Sequence, residues 1–350
     1  MLERDDLSLY RLISKVMACR AANGNGSSEM NNLQQKYDEM VSRQGSFKWG
    51  GIYTPCTLAV PKEAPKGSRI SRLNSRSLGR TIHALSTPER VFVQFALYNP
   101  ALIDIHEQKM LSPVPTVHPL RGHPLATESF PPPLSGTLAV AKAIGLEHYT
   151  IVYEYPNGER KRKPFPYQGD LLLYLIDNSG SPFAVNWSVK DIAEAFSERR
   201  SKKAKTPAQQ KKDRDYANMR AQLEAEYYAS GGIRTYQVSL DMLDTAVIAN
   251  LDLLFGMHGL QSTHETQLMD DFSAAVQCAY LEGVPVAQTA IAYGSRWGCR
   301  DQFIARIYQD IWSRKLAVDM FKPILIDHPL NYEEKDLLVS FGDLFEGFSG

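Results

Sequence analysis

Apolar residues recur on two different periods along this chain, and the changes of period divide it into elements. Leu9, Leu12, Ile13, Val16 and Met17 fall at helical spacing within residues 7–20, and a Gly, Asn and Ser-rich loop follows over 21–28. A polar helix is expected over 29–43, then short strands at 53–55, 58–60, 69–70 and 80–83. Ser86-Thr87-Pro88-Glu89 opens a helix well: a hydroxyl can cap it, Pro88 suits the first turn and Glu89 complements the dipole. That helix carries Phe92, Val93, Phe95, Ala96 and Leu97 and stops near Asn99-Pro100, and a strand follows over 103–108.

A proline-rich loop spans 111–136, and two hairpins come after it. The first joins 151–155 to 159–163 through Asn157-Gly158. The second is wholly apolar from Leu171 to Ile176, turns at 177–182, and returns as Phe183-Ala184-Val185-Asn186-Trp187-Ser188-Val189-Lys190. Further expected elements are helices over 191–200 and 216–229 and a last sheet strand over 233–238. Helices at 268–281, 285–292 and 299–312, with short strands at 316–320 and 323–327, give a winged helix-turn-helix outline. The acidic, aromatic segment 336–350 suggests no role.

Composition narrows the picture modestly. Apolar residues make up 43% of 350, enough for substantial cores and against global disorder. Basic and acidic residues balance at 39 each, so only local clustering can point to nucleic acid. Cys19, Cys56, Cys278 and Cys299 make no paired zinc-type spacing, and reduced thiols in a cytoplasmic protein are the simple expectation. The charged start leads into no signal-like block, and no run approaches the ~18–20 apolar residues of a membrane span.

Candidate chemistry concentrates at the second hairpin. Asp170 opens it and Lys190 closes it, so antiparallel pairing brings the two ends together. A carboxylate that holds a cation beside an ammonium that neutralises charge suits a metal-dependent phosphodiesterase. Alternation puts Ser188 and Lys190 on one face and Val189 on the other. In the nuclease pattern PD-(D/E)xK a carboxylate stands two before the lysine; Ser188 occupies that place, so the motif is incomplete on residue types alone. Charged strand ends in solvent are the bland alternative, as a helix-terminal acid is for Glu89. With Asp170, Glu89 could supply hard oxygen ligands for Mg²⁺, Mn²⁺ being a substitute, and Val189 could add its carbonyl. His83 and Gln108 are candidates for support or substrate contact around that site. Lys161, Arg162 and Lys163 precede the hairpin and the basic run 199–205, with Lys202 and Lys203, follows it; both could contact DNA phosphates. His118 and His123 read as a solvated loop. The helix at 299–312, whose outer side mixes Arg300 and Arg306 with Asp301 and Asp310, favours a protein partner over a base-reading role.

Several segments appear in a telling order: Ser68-Arg69-Ile70, Leu78-Gly79-Arg80-Thr81-Ile82-His83-Ala84-Leu85-Ser86, Glu89, Ile103-Asp104-Ile105-His106-Glu107-Gln108, the Asp170 hairpin, Lys190, and then Glu224 and Glu226 on a helix. This succession resembles the TnsA family, the restriction-like endonuclease subunit of heteromeric transposases, over roughly residues 45–330. The resemblance implies an α/β, restriction-endonuclease-like mixed-sheet core with a C-terminal winged-helix domain. It divides the chain into an N-terminal helical extension (1–44), a catalytic domain (45–245), an interaction domain (246–330) and a tail (331–350). It implies cleavage of the 5′ strand at transposon ends in double-stranded DNA, with Glu89, Asp170 and Lys190 catalytic. A DDE-type transposase cuts the other strand, and an AAA+ ATPase regulator contacts the C-terminal domain. Ser188 stands where the family's familiar member has Gln. A stand-alone nuclease and a DNA-bound adaptor with a decayed core remain alternatives.

Overall fold

The computed structural model describes residues 26–45, 47–126, 131–197 and 206–347. In chain order, α1 (Gly26–Gln44) leads to the hairpin β1 (Ser71–Ser75) and β2 (Arg80–Ala84), then α2 (Thr87–Tyr98), β3 (Leu102–Glu107) and β4 (Met110–Leu111). After α3 (Thr137–Ile144) come the hairpin β5 (Thr150–Glu154) and β6 (Arg160–Pro164), then β7 (Tyr167–Gln168), β8 (Leu171–Ile176) and β9 (Pro182–Lys190). The long helix α4 (Pro207–Ala229) and β10 (Arg234–Ser239) precede α5 (Thr245–His258), α6 (Thr266–Leu281), α7 (Val286–Trp297), α8 (Arg300–Trp312) and α9 (Leu337–Ser340).

The protein is of mixed α/β class. Its principal sheet has four strands in the order β10-β9-β8-β3. β3, β8 and β9 pair antiparallel, whereas α4 carries the chain over so that β10 lies parallel to β9. Both faces are covered, which explains the unbroken apolar run of β8. Leu171, Leu173, Leu175, Val185, Trp187 and Val189 join Phe92 and Phe95 of α2 in one cluster. Leu172, Tyr174 and Ala184 face the other way, onto Leu223, Tyr227 and Tyr228 of α4. The first cluster continues through Val247 and Leu254 of α5 to Phe272, Phe303 and Ile307, so the C-terminal helices share apolar contacts with the sheet.

Several expectations fail for identifiable reasons. Residues 53–55, 58–60 and 69–70 form no strands; Pro55, Pro61 and Pro65 remove ladder donors, and the Leu58 amide donates to Glu63 Oε2 at 3.0 Å instead. The helix expected over 191–200 is a single 3₁₀ turn, Ala193–Phe196, with 198–200 outside the described residues. The helix at 7–20 also falls outside them. The strands at 316–320 and 323–327 are absent, and with them the wing. Asn250 of α5 takes over the bonds a ladder would make: its amide donates to the Met320 and Lys322 carbonyls at 3.0 and 2.9 Å and accepts from the Ile324 amide at 3.2 Å. Only a single bridge, Val318 to Tyr332, remains.

The segment after residue 331 folds back on the sheet. Trp187 Nε1 donates to the Leu344 carbonyl at 2.7 Å, and Phe345 packs on Trp187 and Phe95 with ring centroids 5.1 and 5.2 Å apart. Among the described residues, no helix is long and apolar enough to cross a membrane.

Candidate active site

The register of β8 and β9 builds the centre. Leu171 pairs with Trp187, so Asp170, one residue earlier, lies beside the end of β9. The Val189 amide donates to Asp170 Oδ2 at 2.7 Å, and Lys190 Nζ stands 3.8 Å from the same oxygen. Lys190 Nζ also donates to the Val189 carbonyl at 3.0 Å, which turns the ammonium toward Asp170.

Glu89 arrives from the first turn of α2. The Ser86 cap accepts from the Glu89 amide at 3.3 Å and its hydroxyl donates to Glu89 Oε1 at 3.0 Å. Glu89 Oε2 accepts from the Leu85 amide at 2.8 Å and from Gln108 Nε2 at 2.6 Å. The side chain is only 8% exposed. Burial, and then the charge of Asp170, push the Glu89 carboxyl up to about 7. The two acids are therefore close enough to repel, and the candidate catalytic residues Glu89, Asp170 and Lys190 converge. Gln108 joins them, as expected of a supporting residue.

A further acid adjoins Asp170. Glu224 of α4 is buried, accepts from Asn186 Nδ2 at 2.9 Å, and is raised by burial and then by Asp170. It figured in the succession of segments without an assigned role. Its signal was an acid set among the apolar Leu223, Tyr227 and Tyr228, a position that only a partner makes tolerable. Asn186 is its counterpart, on the same face of β9 as Ser188 and Lys190.

The other candidates divide. Ser188 is half-buried opposite Gln237 of β10. His83 lies on β2 and accepts at Nδ1 from the Ala59 amide at 3.0 Å, a structural tie; burial pushes its pKa down. The Gly-Arg…His and Asp-Ile-x-Glu-Gln elements prove to be one assembly. Arg80 grips both oxygens of the fully buried Glu107 at 3.0 Å, and the His83 amide donates to Glu107 Oε1 at 3.0 Å. This ties the β1–β2 hairpin to β3, the strand that leads into Gln108.

In the basic hairpin, Arg162 is exposed, whereas Lys163 is caged by Tyr153, Tyr155 and Tyr37, with Nζ 3.5 Å from the Tyr153 centroid. Lys161 pairs with Glu159 at 2.9 Å. Lys202 and Lys203 fall outside the described residues. The loop histidines are not solvated: His118 and His123 are 4% and 8% exposed, and their Nδ1 atoms accept from the Leu120 and Leu125 amides at 3.1 and 3.2 Å. Asp310 of α8 is buried rather than exposed, and pairs with Arg306 at 3.2 Å.

Among the described residues, no three His, Cys, Asp or Glu side chains form a metal-holding cluster. The donors that do converge are two carboxylates and the Val189 carbonyl, all hard oxygens of the type that Mg²⁺ prefers. The repulsion between Glu89 and Asp170 is what a divalent cation relieves, so the residues fit such an ion. No family model matches this chain, and none of the curated proteins compared with it matches either.

Proposed function

We propose that this protein is a Mg²⁺-dependent DNA endonuclease that cuts the 5′ strands at transposon ends, as its resemblance to the TnsA family implies. One observation carries the reading: Glu89 on the first turn of α2, Asp170 just before β8 and Lys190 at the end of β9 come together at one end of the central strands. With β4 to β7 and α3 set aside as an insertion between β3 and β8, the order of one helix, three antiparallel strands, a helix and a parallel strand agrees with a restriction-endonuclease-like core. The wing of the expected winged helix is missing, so the C-terminal unit is better described as a helical bundle against the sheet.

Glu89, Asp170 and the Val189 carbonyl would hold Mg²⁺. Such an ion would polarise the scissile phosphate and lower the pKa of a bound water. Lys190, oriented by Asp170 and the Val189 carbonyl, supplies a positive charge where negative charge grows on the phosphate. Ser188 donates no carboxylate, so the acids come from α2 and β8. Arg162 on the outer face of the basic hairpin offers a phosphate contact. On α8, Arg306 is neutralised by Asp270 at 3.0 Å and by Asp310, which favours a protein over DNA there; an AAA+ regulator is the partner that the resemblance implies. A DDE-type transposase completes the double-strand break.

The test is a strand-resolved cleavage assay on double-stranded transposon-end DNA with Mg²⁺ and a candidate DDE-type transposase partner. Nicking on the 5′ side that is lost in Asp170→Ala and Lys190→Ala supports the proposal, and normal nicking by Asp170→Ala refutes it. Efficient cutting by the chain alone points to a stand-alone nuclease. DNA binding without metal dependence or cleavage points to an adaptor.

A further inference from the structure

We propose that Gln108 is a positioning residue that sets the carboxylate of Glu89 and the backbone of Asp170 in the relation a shared divalent cation requires. The inference rests on the nuclease reading and extends it to a residue that touches neither metal nor DNA.

Gln108 holds φ of +50°, a conformation that residues other than glycine rarely adopt, at a position only 1% exposed. Such a conformation persists where surrounding bonds over-determine it, and here they do. Its amide donates to the Asp170 carbonyl at 2.9 Å, and its own carbonyl accepts from the Cys56 amide at 3.1 Å and from Gln44 Nε2 at 3.3 Å. Its side-chain Nε2 donates to Glu89 Oε2 at 2.6 Å. One residue therefore reaches the two acid-bearing segments, by side chain to one and by main chain to the other.

The orientation of its amide is set from behind. Thr57 Oγ1 donates to Gln168 Oε1 at 2.8 Å, and Gln168 Nε2 donates in turn to Gln108 Oε1. With its oxygen engaged, Gln108 can present only its N–H to Glu89, the arrangement a carboxylate needs since it accepts and never donates when ionised. Simple strand-end polarity would require neither the left-handed backbone nor this one-way chain. Outer partners of this kind typically change metal affinity by about 10- to 100-fold when removed.

Two substitutions break the side-chain bridge and keep the backbone bonds to Asp170 and Cys56. Gln108→Asn tolerates the left-handed conformation but is too short to reach both Glu89 and Gln168; Gln108→Gly relaxes the backbone and removes the amide. Mn²⁺ binding to the full-length protein, measured by isothermal titration alongside thermal melting, is the readout. Both variants are expected to bind Mn²⁺ roughly tenfold or more weakly, with melting temperatures close to that of the parent. Affinity within about twofold of the parent in either variant overturns the inference while leaving the nuclease reading intact. Absence of Mn²⁺ binding by the parent overturns that reading, and this inference with it. Should neither variant fold, Gln168→Leu, which leaves the Gln108 backbone undisturbed, decides by the same titration: weakened binding supports the positioning role, and unchanged binding overturns it.

Discussion

Removing the guanidinium of Arg80 should strand a buried charge, and the size of the effect follows from the geometry. Arg80 is 11% exposed and Glu107 0%, and both carboxylate oxygens receive a guanidinium nitrogen at 3.0 Å. Arg80→Met keeps much of the apolar stem but leaves Glu107 with only the His83 amide as a donor among these partners. Breaking one side of a buried ion pair costs about 3–5 kcal/mol, a large part of the ~5–15 kcal/mol that holds a typical domain together. Urea unfolding followed by tryptophan fluorescence, with Trp187 in the core as reporter, measures the loss. The pH dependence is specific. Burial already raises the Glu107 carboxyl, and loss of Arg80 raises it further. A carboxyl whose folded pKa exceeds its unfolded value, about 4.3, destabilises as pH rises through that interval, by about 1.4 kcal/mol per pH unit. The deficit of Arg80→Met should therefore be larger at pH 8 than at pH 5. Arg80→Met combined with Glu107→Gln should recover at least ~2 kcal/mol, because the amide can still accept from His83 without carrying charge. A single variant within about 1 kcal/mol of the parent, or a double variant no better than the single, would refute the reasoning.

Other outcomes follow from the same geometry. His106 is fully buried, stacks on Tyr53 at 3.9 Å, makes a 2.8 Å hydrogen bond with Tyr174 through Nδ1, and is pushed down from 6.5 to about 3 by burial. Its folded pKa lies below its unfolded one, so it contributes no penalty above pH 6.5 and destabilises as pH falls below it, by about 2 kcal/mol at pH 5. His106→Leu should be less stable at pH 7 yet lose about 2 kcal/mol less between pH 7 and 5; an unchanged slope in urea titrations contradicts this. Arg162→Ala should weaken DNA binding and reduce the salt slope by about one, whereas Lys163→Ala, whose ammonium sits among tyrosines, should loosen the hairpin more than the salt slope. Phe345→Ala should destabilise by about 3 kcal/mol, because the ring is 8% exposed against Trp187 and Phe95; a loss under ~1 kcal/mol means that this segment is not docked in solution.

What the sequence revealed, and what it hid, divides by the range of the interaction. Local chemistry was legible. Ser86 caps α2 as the hydroxyl and following Pro88 suggested, Gly158 takes the positive φ of its turn, and the apolar run bounded by Asp170 and Lys190 is a paired hairpin. The start of α4 was equally readable in principle: Thr206 and Gln209 form a reciprocal capping box, with the cap ten residues before the expected start at 216. Long-range substitution of bonds was not legible. The residues at 316–327 have strand-like composition, yet Asn250, some seventy positions away, satisfies their backbone. Two histidines in a proline-rich loop read as solvated because nothing nearby announces that α4 and the sheet cover that loop. Glu224 and Phe345 likewise gain meaning only from partners more than thirty positions distant.

The central claim is that Glu89 and Asp170 share one divalent cation beside Lys190. Anomalous diffraction from crystals soaked in millimolar Mn²⁺ tests it most directly. A strong peak is expected within coordination distance of both carboxylates and the Val189 carbonyl, as is its loss in Asp170→Ala crystals. Mn²⁺ bound elsewhere, with no density between those two acids, would contradict it.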